Sequence, residues 1–301
     1  MDFFKIIDQL SEVDADVLGR FDSRRAVFSS LGTAAKRSAL AATPLFLGAL
    51  FQKAYAGTTA LADEVLQYAL ALELFEQDFY AKVKASSQYT GASAADKAAI
   101  DQIKKHEDSH VTLLRTAITS LGKVPVTGVT FKRTVFDTLT TFKTGSPATT
   151  QLGIAQLLED TGVRAYKGRA GELLGTDLLE TALRIHSVEA RHAAKIRDMR
   201  GQRAWVNPAD DLASHPVYTN GVTTGSNPGR FGLVVPSYDA TKPSPREDNV
   251  MQGAVGSAPA VNITIGLGTS YTAADAAAAF DEFLQVAEVL DESRAGSLIG
   301  A

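Results

Sequence analysis

Glu107-Asp108-Ser109-His110 and Glu189-Ala190-Arg191-His192 are two copies of one pattern, Glu-x-x-His, each inside a long segment of helix-forming residues. Each is preceded by a segment in which a Glu is followed seven residues later by a Tyr: Glu73 with Tyr80, and Glu159 with Tyr166. On a helix, residues three apart lie about 60° apart and one turn along, so this Glu and His face one point. Residues seven apart lie about 20° apart and two turns along, so each Tyr shares the face of its Glu. The same unit thus occurs twice. Four helices carrying it offer four carboxylates and two imidazoles to one interior layer.

Four carboxylates buried without partners would each cost several kcal/mol or would protonate. Two divalent cations cancel the four negative charges, while each neutral imidazole donates one nitrogen. Hard oxygen donors with two nitrogens suit iron or manganese. Glu73 and Glu159 read as ligands from the first helix of each half, Glu107 and Glu189 as bridges, and His110 and His192 as ligands to one ion each. Tyr80 and Tyr166 are placed to orient a carboxylate through their hydroxyls; alternatively they are core aromatics with a hydrogen bond. A single Glu-x-x-His is weak, because helical surfaces produce it by chance. Its recurrence beside an inward Glu-to-Tyr pair carries the reading. Other ionisable residues fall off these stripes. Glu76 and Asp78 read as solvated or helix-pairing charges, His106 as a boundary residue, and His186 as a hydrogen-bond partner for a ligand. Asp108, Asp160 and Arg191 read as surface or supporting groups, and His215 has no visible partner.

The chain of 301 residues contains no cysteine, which excludes thiol catalysis, disulfides and Cys-ligated zinc. A net charge of −4 gives no reason to expect nucleic-acid binding. Residues 1–58 read as a leader. Ser23-Arg24-Arg25 precedes the apolar run Ala39–Phe51 and the small-x-small end Ala54-Tyr55-Ala56, as in a twin-arginine export signal. That implies a periplasmic or cell-envelope protein; the alternative is a peripheral helix on a cytoplasmic one. The apolar run is too short to span a bilayer as a mature helix.

Residues 59–201 read as the bundle. Helices are predicted over about 60–86, 94–121, 148–174 and 177–200, each with its Glu centred among aliphatic residues. Gly122 and Gly201 stop the second and fourth. Thr176-Asp177 with Glu180 reads as a capping box. A short link makes the first two helices an antiparallel hairpin. The long connection 123–147, with a strand or short helix near 135–142, lets the chain cross the bundle before the third helix. Residues 202–301 read as a loop-rich extension wrapping the bundle, with a short strand at 261–265 and a final helix over 273–290. Its apolar residues Ala277, Phe280, Phe283, Leu284 and Ala287 would dock it.

The stretches Leu72–Tyr80, His106–His110 with Leu121-Gly122, Leu158-Glu159 through Tyr166, and Ser187–His192 resemble the ferritin-like superfamily. They are most similar to its exported bacterial ferritin-like domain branch, some members of which are called desiccation-related. The resemblance covers roughly 59–201 and implies an all-α, ferritin-like four-helix bundle with a long crossover between its second and third helices. All six ligand positions are occupied. It further implies a di-iron centre, with manganese as the alternative, reacting with O2 or H2O2 as a ferroxidase or a peroxide-removing enzyme in oxidative stress. A non-catalytic metal-binding module and a di-manganese, catalase-like enzyme stay open, as does a homo-oligomeric state. Nothing in the tail matches ferritin or rubrerythrin, and a rubredoxin part would need cysteines.

Overall fold

The computed structural model describes residues 59–212, 215–218, 232–233, 236, 239, 244, 246–247, 249–252, 261–262, 272–279, 281–291 and 294–300. The expected leader, Phe280 and the second half of the strand expected at 261–265 lie outside these residues. Four long helices appear where the hydrophobic periodicity places them: α1 (Thr59–Lys84), α2 (Ala94–Ser120), α3 (Gln151–Ala170) and α4 (Asp177–Met199). Ser93 caps α2 by accepting the Asp96 amide at 3.1 Å, and Thr150 caps α3 by accepting the Gly153 amide at 3.0 Å. Gly122, at φ 71°, takes the left-handed conformation that ends α2. Among the described residues no helix is long and apolar enough to cross a membrane.

α1 packs chiefly on α2, and α3 on α4. The tyrosines fix how the two hairpins meet. Tyr80 of α1 donates to Glu159 of α3, while Tyr166 of α3 donates to Glu73 of α1. Such a crossed pair requires α1 and α3 to run antiparallel, so α2 and α3 run the same way. The connection between them must therefore return along the whole bundle. It does so against α1. Strand β1 (Thr130–Phe131) puts Phe131 on Phe75 and Phe79, with ring centroids 5.4 and 4.9 Å apart, and the Phe131 amide donates to Asp78 at 2.7 Å. The helix expected near 135–142 is only one turn, Arg133–Phe136. Beyond it the carbonyls of Thr141 and Phe142 accept the first amides of α3, from Gln151 and Leu152, at 3.0 and 2.9 Å.

Two further expectations are corrected. The cap of α4 is Thr176, whose hydroxyl donates back to the Leu173 carbonyl at 2.7 Å and caps no amide, and Glu180 pairs with Arg184. The final helix breaks in two, α5 (Ala273–Ala279) and a single turn at Val286–Val289. Over residues 281–285 the backbone is not helical, because the rest of the protein takes its hydrogen-bonding groups. The Leu284 amide donates to the Arg164 carbonyl at 3.1 Å, and the Glu282 amide donates to Glu247, also at 3.1 Å. Arg164 in turn donates to the carbonyls of Glu282 and Phe283 at 3.1 and 3.2 Å, and to that of Val217. Tertiary bonds here override local helix propensity.

The extension covers α3. Strand β4 (Ile299–Gly300) pairs antiparallel with β1, and β2 (Met251–Gln252) with β3 (Val261–Asn262). Gly168 touches the tail so closely that a Cβ there would lie 2.1 Å from the Leu284 carbonyl oxygen. In consequence every residue of α3 from Gln151 to Tyr166 is buried, polar ones included. The one-sided stripe predicted for this helix is replaced by burial all round.

Candidate metal centre

Each helix contributes its centred Glu to the same layer. Glu73, Glu107, Glu159 and Glu189 have no exposed surface, and His110 and His192 are buried beside them. His110 Nδ1 lies 3.1 Å from Glu73 Oε2, 3.3 Å from Glu107 Oε2 and 3.3 Å from Glu189 Oε1. His192 Nδ1 lies 2.9 Å from Glu107 Oε1 and 3.2 Å from Glu159 Oε2. Two overlapping sets result, Glu73–Glu107–His110–Glu189 and Glu107–Glu159–Glu189–His192, each with its donor atoms within 4.8 Å of one another. Glu107 and Glu189 belong to both, the position expected of bridging carboxylates.

The outer oxygens of the two unshared carboxylates are held by the tyrosines. Tyr166 donates to Glu73 Oε1 at 2.5 Å, and Tyr80 donates to Glu159 Oε1. Both tyrosines are therefore positioning groups with their rings in the core. The remaining Oε2 atoms face the imidazoles.

Hydrogen bonds alone leave this layer unsatisfied. Each Nδ1 carries at most one proton, yet that of His110 faces three carboxylate oxygens and that of His192 two. Glu107 Oε1 and Glu189 Oε1 are buried with only a shared imidazole Nδ1 in reach, and Glu189 Oε2 is buried with no partner. Such atoms are rare and costly in native interiors. They sit on the two shared carboxylates, where a cation in each set would meet them. The donor set fits a pair of divalent ions, with carboxylate oxygen and imidazole nitrogen suiting iron or manganese.

The protonation pattern follows from the crowding. Burial raises Glu107 to about 7 against the pull of His110 and His192, and burial with repulsion from Glu107 and Glu73 raises Glu189 well above the carboxylate range. For Glu73 burial also pushes up, but the hydrogen bond from His110 and its charge outweigh it and the group is lowered. Burial works against protonated imidazole, yet the carboxylates prevail: His192 is raised to about 11, chiefly by Glu159 and Glu107, and His110 is raised as well. Without metal the layer holds protons in place of cations.

Several residues read as peripheral take part. Glu76, expected at a solvated or helix-pairing position, is buried, and burial together with Glu189 and Glu159 raises it well above its usual range. An offset of about 60° still falls within the wide apolar face of a bundle helix. Gly162 makes room for it: a Cβ there would lie 3.2 Å from Glu189 Oε2 and 3.5 Å from Glu76 Oε1. His106, read as a boundary residue, places Nδ1 2.8 Å from His192 Nε2 with the two rings nearly parallel. His106 and His110 thus do not converge on one ion, although His106-Glu107-Asp108-Ser109-His110 has the spacing of a zinc protease helix. The available signal for His106 was its place one turn before His110 on the same face.

His186 hydrogen-bonds the Val163 carbonyl at 3.0 Å instead of a ligand. Asp160 is buried behind the centre, in a bidentate pair with Arg197 at 2.9 and 2.5 Å, and accepts from Tyr218 of the tail. Asp78 and Asp108 are half-buried and pair with Lys82 and Lys104, and Arg191 is exposed. His215 accepts the Val217 amide at 3.2 Å within the tail.

No curated protein matches the chain. The model of the ferritin-like domain family matches residues 62–202, the span that holds all four helices and every residue of the layer just described. Residues 62–202 are thus those of a ferritin-like domain.

Proposed function

We propose that residues 59–201 form a di-metal carboxylate centre that reacts with O2 or H2O2, with iron as the first choice of metal. Glu73, His110, Glu159 and His192 are the unshared ligands in this reading, and Glu107 and Glu189 the shared ones. The observation that carries it is the set of under-satisfied oxygens on Glu107 and Glu189, buried where both donor sets overlap. When bound, two redox-active ions supply two electrons, enough to take O2 to the level of peroxide or H2O2 to water.

The chain's own residues prepare the site. Tyr80 and Tyr166 hold one oxygen of Glu159 and of Glu73, so the other is presented without a search over rotamers. The closed helix layer keeps bulk water from the carboxylates and strengthens their hold on a cation. Glu76 lies beside Glu189 as a further buried carboxylate. Export from the cytoplasm, the second part of the proposal, is supported by the Arg24-Arg25 pattern alone, and the N-terminal residue of native protein tests it.

The decisive experiment adds Fe(II) aerobically to metal-free protein, follows near-UV absorbance and measures bound metal. The expected outcome is two ions per chain with a rise in absorbance, lost in Glu107→Ala and Glu189→Ala. No uptake, or variants behaving as wild type, would overturn the reading. Oxygen evolution from H2O2 by manganese-loaded protein would move the assignment to a catalase-like enzyme. Two bound ions with no turnover of either oxidant would make the centre structural.

A further inference from the structure

The two halves of the centre match residue for residue on the ligands but not behind them. On α2, His106 stands four residues before His110; the corresponding residue of α4, four before His192, is Val188. His106 does not serve the His of its own helix. It crosses to α4 and meets His192 Nε2 at 2.8 Å, with 5.1 Å between ring centroids and 10° between ring planes. Val188 has no hydrogen-bonding group in its side chain, and among the described residues no hydrogen bond reaches His110 Nε2.

This difference bears directly on metal binding. A ligand imidazole that presents Nδ1 to an ion must carry its proton on Nε2. An acceptor at Nε2 fixes that tautomer and the ring orientation, and it makes Nδ1 a stronger donor. His106 Nδ1 is such an acceptor. Its own proton then sits on Nε2, next to the Gln102 amide at 2.5 Å, whose oxygen and nitrogen exchange by a half-turn. The relay Gln102–His106–His192 ends on an exposed side chain, so it is held without a buried unpaired group. His110 has to be oriented by its carboxylate neighbours alone.

We infer that the two metal positions are unequal by construction: His106 fastens His192 from behind, so the position between Glu159 and His192 binds its ion more tightly and fills first. The inference rests on the di-metal reading above. His106 acts through His192 and is a positioning residue.

The test titrates the full chain, metal-free and without oxygen, with Co(II), following both heat and the visible bands of the bound ion. Wild type is expected to fill in two resolved steps. His106→Ala should weaken the first step about 10–100-fold and leave the second in place, so that the two merge. His106→Gln, which can still accept from His192 Nε2, should restore most of the separation. Val188→His would supply the missing acceptor and is expected to tighten the second step. Two equal ions in wild type, or a His106→Ala variant that weakens both steps alike, would overturn the inference while leaving a di-metal centre standing. Failure to bind any Co(II) would instead remove the di-metal reading itself, and this inference with it.

Discussion

The two hairpins carry the same ligands but differ in what covers them. In α1–α2 the outer face of α1 is covered by the crossover, whose Phe131 amide donates to Asp78. In α3–α4 the outer face of α3 is covered by the tail, and the residue that corresponds to Asp78 is Arg164, which donates to tail carbonyls. Both helices thus solve one problem, how to bind a passing backbone, with opposite polarity. An acid takes an N–H in one half; a guanidinium takes C=O groups in the other. The second hairpin goes further. Arg197 of α4 is buried against Asp160, whereas its counterpart on α2, Arg115, is exposed. Equal ligand sets therefore do not need equal surroundings. The half wrapped by the tail has traded solvated charges for a buried, paired network.

The largest effects should separate these halves. Arg197→Ala strands the buried Asp160 carboxylate and is expected to lower unfolding free energy by about 3–5 kcal/mol. Arg115→Ala should stay within about 0.5 kcal/mol in the same denaturant titration, as for other exposed substitutions. Similar losses at both positions would erase the distinction. Gly168→Ala drives a Cβ into the Leu284 carbonyl and should cost about 1–3 kcal/mol or more, as overpacking does. Its counterpart Lys82, tied to Asp78 by a surface pair, should cost at most about 1 kcal/mol on truncation to Ala.

Protons sharpen the comparison at the centre itself. His192, raised to about 11, is charged at neutral pH without metal and must be neutral to bind one. Metal loading is therefore expected to release protons and to tighten as pH rises. Calorimetry in buffers of different ionisation heat reads that release, and an affinity independent of pH would contradict it. A second proton effect belongs to the tail. Burial, with Arg294 nearby, lowers His215 to about 4, below the ordinary value of about 6.5. The unfolded chain then binds the extra proton first, so stability present above pH ~6.5 is lost as pH falls toward ~4. Substituting His215 by Asn should flatten that slope of the urea midpoint.

How much of this was legible depended on whether the signal is local. A Glu centred on an apolar stripe is an energetic anomaly that spacing alone exposes, so Glu73, Glu107, Glu159 and Glu189 could be placed on one layer from the sequence. Glu76 and His106 were misplaced because a strict angular stripe is narrower than the face a bundle helix really buries. The break after Ala279 had no local mark. Residues 281–285, Asp-Glu-Phe-Leu-Gln, contain no glycine or proline, and they leave the helix because Arg164 and Glu247, far off in sequence, take their backbone groups. The buried Arg197–Asp160–Tyr218 cluster was hidden for the same reason: nothing near Asp160 or Arg197 in sequence shows that the tail will bury them.

The covering of α3 also constrains assembly. A helix enclosed on all sides from Gln151 to Tyr166 has no free flank to offer a second copy of the chain. Among the described residues, a symmetric interface would draw on the outward faces of α2 and α4 or on the covering segments. The same tail that closes the second hairpin thus narrows the set of dimers the protein can build.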